Sequence, residues 1–127
     1  MITVEEVREY ARRLKLPELG VNALVAAWSG PPVRRVQSSW RSAVARFTSW
    51  KMGRTIQAES LWVEFLFVFL AEYATEVLGF LDQPFRLKIP HLESNGKQSA
   101  HWYTPDFVVL YPERVETVEC KTEDELE

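Results

Sequence analysis

From Leu61 to Leu70 the chain carries nine apolar side chains and a single acid, Glu64. The apolar character continues through Ala71, Tyr73, Ala74, Val77 and Leu78 up to Gly79. Such a run is too long for an ordinary strand and too short to cross a bilayer, so no membrane partner is expected. Apolar side chains on every side mark a helix enclosed by the rest of the fold. The pattern predicts that helix over residues 59–77, with Glu59 as a first-turn acid favoured by the helix dipole and Gly79 as the stop. Glu64 then needs a physical explanation, because a carboxylate on a buried helix is costly unless it is protonated or compensated by a cation. The alternative is a narrow exposed stripe shared with Glu72 and Thr75.

The C-terminal third reads as a β-hairpin. Residues 107–111 and 115–118 are rich in β-branched and aromatic side chains, and Tyr111-Pro112-Glu113-Arg114 supplies a turn between them. Pairing symmetric about that turn puts Asp106 directly across from Glu119. Facing residues have Cβ atoms roughly 4.5 to 5.5 Å apart, and like charges that close destabilise a sheet unless something positive lies between them. A divalent cation meets that need. Alternation along the strand places Glu119 and Lys121 on one face and Cys120 on the other, leaving the Cys120 carbonyl able to face a metal. An all-oxygen set suits Mg²⁺ or Mn²⁺, and Lys121 would stabilise the charge that builds on a phosphodiester under attack. A nuclease site of this kind draws one more carboxylate from a helix packed on the sheet, and Glu64 is the candidate. The bland alternative is an exposed hairpin whose charges face solvent.

Charge is unevenly distributed along the chain. No acid occurs between Glu18 and Glu59, whereas Arg34, Arg35, Arg41, Arg46, Lys51 and Arg54 all fall there, interleaved with Trp40, Phe47 and Trp50. These six are the expected DNA-binding residues, the alternative being a solvated loop or strand pair over the core. From residue 59 onward there are fourteen acids and five basic residues, so that half needs cations. A single cysteine excludes an internal disulfide and fits a reducing, cytoplasmic setting, and the charged start shows no secretory signal. Two histidines give no zinc pattern; His101 is near enough to the proposed site in sequence to touch phosphate, or is an ordinary strand residue.

With 127 residues and 46% hydrophobic content, there is material for one core. Thr3 and Glu6 form a capping box for a helix over 4–16 with Val7, Tyr10, Ala11 and Leu14 on its apolar face, and a second helix is predicted over 17–28. Residues 33–58 read as extended or irregular with a turn at 51–54. Strands are predicted over 85–89, 102–111 and 115–121, with a turn at 93–98. The fold class is therefore α+β: N-terminal helices, then one long buried helix packed on a mainly antiparallel sheet. Residues 1–30 form a helical cap on residues 31–127.

In their order, Pro31-Pro32-Val33-Arg34-Arg35-Val36, the stretch 51–60, Val77-Leu78-Gly79-Phe80-Leu81-Asp82-Gln83-Pro84, Tyr103-Thr104-Pro105-Asp106-Phe107 and Glu119-Cys120-Lys121 resemble the N-terminal catalytic domain of TnsA-type transposon endonucleases. That family belongs to the PD-(D/E)xK nucleases, with an α/β restriction-endonuclease-like core. The resemblance implies that Glu64, Asp106, Glu119 and Lys121 are catalytic, that Glu64, Asp106, Glu119 and the Cys120 carbonyl hold Mg²⁺ or Mn²⁺, and that Gln83 lies beside the site. It implies double-stranded DNA at transposon ends as substrate, with a DDE transposase and an ATP-dependent regulator as partners. A restriction or defence nuclease of the same superfamily and a non-catalytic DNA-binding or assembly module remain the alternatives. The family core has a further helix and strand after the lysine strand. Here the chain ends as residues 122–126 begin to read as that helix, so the nuclease domain is expected to be incomplete or completed by a partner.

Overall fold

Thr3 caps the first helix, α1 (Val4–Arg13): its side chain accepts from the Glu6 amide while Glu6 reaches back to the Thr3 amide. This exchange satisfies donors that a helix start leaves without partners. The computed structural model describes residues 2–31, 45–58 and 63–121. Helix α1 ends before the predicted residue 16, because Lys15 takes a left-handed φ of 59° and Pro17 then opens α2 (Glu18–Ser29) as its N-cap. Val7, Tyr10 and Ala11 are buried in one cluster with Val21, Leu24, Ala27 and Trp28 of α2.

The described part of the region read as extended is a regular hairpin. Strand β1 (Ala45–Ser49) pairs antiparallel with β2 (Arg54–Ala58), and the turn between them closes on Gly53 with φ of 65°. That turn is fastened to the end of helix α3 (Val63–Tyr73). The Glu72 carboxylate accepts from the Trp50 and Lys51 amides at 2.9 and 3.0 Å and from the Ser49 hydroxyl. The Lys51 ammonium donates to the carbonyls of Ala71, Ala74 and Val77 at 2.8, 2.8 and 2.9 Å. The first of these is a carbonyl of the last turn of α3 and the other two follow its end at Tyr73, short of the predicted residue 77. Residues 59–62, its predicted start, lie outside the described residues.

Two further expectations about α3 are corrected. The helix is not enclosed on all sides: Glu64, Val68, Ala71 and Glu72 face inward, while Leu66, Phe69, Leu70 and Tyr73 are 48 to 68% exposed. Nor do Glu64, Glu72 and Thr75 form an exposed stripe, since both acids are buried and Thr75 lies beyond the helix. Positions 64, 68, 71 and 72 share one face by helical spacing, so the acids and the small apolar residues point into the core together.

The central sheet has the order β3-β6-β7, with β3 (Gly79–Asp82), β6 (Phe107–Leu110) and β7 (Val115–Val118) all antiparallel. Every residue of β3 and β6 is buried. Gly79, expected to stop the helix, instead begins β3. A Cβ there would lie 3.0 Å from the Trp28 ring and 3.3 Å from the Met52 sulfur, so only glycine permits this approach. Phe107 packs on Phe67 of α3 with ring centroids 4.7 Å apart. The Tyr10 hydroxyl reaches the carbonyls of Tyr111 and Arg114, the latter at 2.7 Å, tying α1 to the β6–β7 turn.

A separate hairpin is inserted between β3 and β6, made of β4 (Leu87–Leu92) and β5 (Gln98–Tyr103). Its turn matches the expected one, with Gly96 at φ of 83°. The strand expected over 85–89 thus belongs to this hairpin and not to the central sheet. The strand expected over 102–111 is two strands, broken at Thr104-Pro105-Asp106, where proline has no amide for a ladder. The last strand stops at Val118, short of residue 121. The protein is a mixed α+β fold, and among the described residues no helix is long and apolar enough to cross a membrane.

Candidate active site

Antiparallel pairing brings one end of each central strand together. Phe107 pairs with Asp82 on one side and with Val118 on the other, so Asp106 lies beside both the end of β3 and the end of β7. The register is the one that symmetric pairing predicts, with Asp106 opposite Glu119, one step past the ladder. Both neighbours hold Asp106. The Gln83 amide donates to its backbone carbonyl at 2.9 Å, and the Cys120 amide donates to its carboxylate at 2.9 Å.

The acids converge electrostatically on Cys120. Burial is the largest cause that pushes its thiol up, to about 12, and the carboxylates of Asp106, Glu64 and Glu119 push in the same direction. Coulomb forces of this kind fade with distance and solvent, so all three acids lie within electrostatic reach of Cys120. Glu64 is 5% exposed there, Asp106 is half-buried, and Glu119 and Lys121 are exposed. A thiol held so firmly in its neutral form is a poor nucleophile.

Two residues at this end escape the sequence pattern. The Tyr103 hydroxyl donates to the Glu119 carboxylate and so orients it. Asp82 is 3% exposed and accepts from the Gln57 amide and side chain at 3.2 and 3.4 Å; burial raises its carboxyl pKa more than those bonds lower it. An acid closing the apolar run Gly79-Phe80-Leu81 was the available signal for Asp82. Tyr103 had none, because its contact spans two sheets. Gln83 is buried with a left-handed φ of 43°, and its amide is what anchors Asp106.

Chemically, carboxylate oxygens are hard donors of the type that Mg²⁺ or Mn²⁺ takes. Among the described residues, no three His, Cys, Asp or Glu side chains are gathered closely enough as they stand to hold a metal ion.

Three of the six expected DNA-binding residues, Arg46, Lys51 and Arg54, are described. Arg34, Arg35 and Arg41 lie outside the described residues, and Arg46 is exposed on β1. Lys51 is committed to the end of α3, and Arg54 donates to the Gly30 carbonyl at 2.6 Å. His101 is on the β4–β5 hairpin with its ring 6.3 Å from that of His91.

No model of a known protein family matches the chain, and no curated protein is significantly similar to it.

Proposed function

We propose that this protein is a metal-dependent DNA endonuclease of the PD-(D/E)xK type, acting as a TnsA-like subunit at transposon ends. The register that sets Asp106 opposite Glu119, with the Cys120 amide bonded to Asp106 and Lys121 next in the chain, carries the reading. The order of elements supports it as well. Helix α3 followed by the antiparallel β3-β6-β7 sheet parallels the first four elements of a restriction-endonuclease-like core, with β4–β5 as an insertion.

In this reading Glu64, Asp106, Glu119 and the Cys120 carbonyl would hold Mg²⁺ or Mn²⁺, which when bound offsets phosphate charge and acidifies a water. The residues themselves divide the remaining work. The amides of Gln83 and Cys120 fix Asp106, so its carboxylate is pre-oriented. Tyr103 sets the angle of Glu119. Lys121 lies on the solvent side, where its ammonium can meet a phosphate oxygen as negative charge builds. Attack by the water oxygen forms one P–O bond and breaks the bond to the 3′ oxygen, leaving a 5′-phosphate and a 3′-hydroxyl. A DDE transposase and an ATP-dependent regulator are the proposed partners, and the cytoplasm the proposed compartment.

A second reading, a non-catalytic DNA-binding or assembly module, is favoured by the large apolar side chains exposed along α3, since such patches mark protein contacts. Supercoiled-DNA nicking separates the two. Asp106→Ala and Lys121→Ala are each expected to abolish Mg²⁺-dependent nicking by the full assembly while DNA is retained. Nicking undiminished in both variants refutes the nuclease reading.

A further inference from the structure

The β4–β5 hairpin stands apart from the core. Every residue of β4 is exposed, as are four of the six in β5. Hairpins of two strands do not hold alone in water without some reason for the chain to maintain them. Its register divides it into two faces, one carrying Lys88, Pro90 and Leu92 opposite Trp102, Ala100 and Gln98. Trp102 is 58% exposed, and Arg86 and Lys88 lie over its ring at 5.0 and 5.9 Å from the centroid. Cation–π contacts of this kind hold both positive groups raised on one face.

The charge is as selective as the shape. Of the five basic residues after residue 59, Arg86 immediately precedes this hairpin and Lys88 and Lys97 belong to it, and the hairpin contains one acid, Glu93, and both histidines of the chain. A positive arm is thus mounted on an acidic half. Its base leads to the candidate site: Tyr103 ends β5 and bonds Glu119, and Asp106 follows after Thr104 and Pro105.

We infer that the β4–β5 hairpin is a duplex-DNA arm, a two-stranded ribbon that enters the major groove and uses Arg86, Lys88 and Lys97 against the phosphates. The groove, about 12 Å wide, admits a ribbon of this kind, and phosphates supply the charge complement. The exposed Trp102 and Leu92 then lie against the groove wall. Choice of DNA over other polyanions rests on the nuclease reading; the positive arm itself does not.

Fluorescence anisotropy with the full chain tests it, using a short mixed-sequence duplex and the matching single strand across a salt series. Arg86→Gln with Lys88→Gln is expected to weaken duplex binding by roughly tenfold or more and to lower the slope of log affinity against log salt by about two. Lys97→Gln, at the hairpin tip where folding is not at stake, is expected to lower that slope by about one. Wild-type affinity and slope in both variants overturn the arm, and a loss confined to the single strand overturns the duplex assignment. Because binding is read and not cleavage, persistence of nicking in Asp106→Ala and Lys121→Ala would refute the nuclease reading and leave the arm standing.

Discussion

Cys120 reports on the acids around it, independently of any catalysis. Its thiol is raised from 9.0 to about 12 by burial and then by Asp106, Glu64 and Glu119. At pH 8 that shift cuts the thiolate fraction by up to about a thousandfold, so iodoacetamide is expected to label the folded chain far more slowly than the urea-unfolded chain. Glu64→Gln and Asp106→Asn each remove a negative neighbour, which lowers the thiol pKa and is expected to speed labelling of the folded protein. Mass spectrometry of timed samples reads the rate. No acceleration in either variant would separate Glu64 and Asp106 from Cys120. At this scale the sequence reading reached Glu64 through an acid interrupting an apolar run, and Asp106 with Glu119 through the symmetry of a hairpin. It did not reach Asp82 or Tyr103, whose partners Gln57 and Glu119 lie in other sheets. Periodicity carries no information about such cross-sheet contacts.

Between elements, the closest joint is the one that fastens the β1–β2 turn to α3. Lys51→Met keeps the length of the side chain but removes the donor to three carbonyls. Burial already lowers the ammonium pKa, with Glu72 and Glu76 opposing that shift, so the group is partly desolvated and its bonds matter. The variant is expected to lose about 1–3 kcal/mol in urea unfolding, the usual cost of leaving part-buried polar groups unanswered. A loss near zero would mean that water replaces the ammonium. This joint also shows why helix α3 was read too long. The apolar pattern runs on to Leu78, and the carbonyls around the helix end are met by a lysine twenty or more positions upstream in the chain. Strand β3 lacks a signal for a related reason: a glycine and three further buried residues have no alternation to betray them. The capping box of α1 and the turn at Gly96 were legible because both are local chemistry.

For the whole molecule, the mixed α+β class was legible from a buried-type helix followed by strands, whereas the division into three separate sheets was not. The sequence treats Leu87 and Phe107 alike as strand residues; only the structure shows one 38% and the other 1% exposed. That contrast makes the β4–β5 arm removable. Leu87 and Tyr103 are register partners at its base, so an Asn-Gly turn can join them in place of residues 88–102. The shortened protein is expected to unfold within about 1 kcal/mol of the parent, since loop length alone changes stability slowly, and to lose its affinity for duplex DNA. A collapse of the thermal transition would show the arm to be part of the core.

The hydroxyl of Tyr10 finds its acceptors 101 and 104 residues later in the chain. During synthesis, therefore, α1 and α2 can pack on each other early, whereas the bonds that tie α1 to the β6–β7 turn wait until that hairpin has emerged. Contacts at that separation close slowly, so this tie is expected to be among the last in the fold to form.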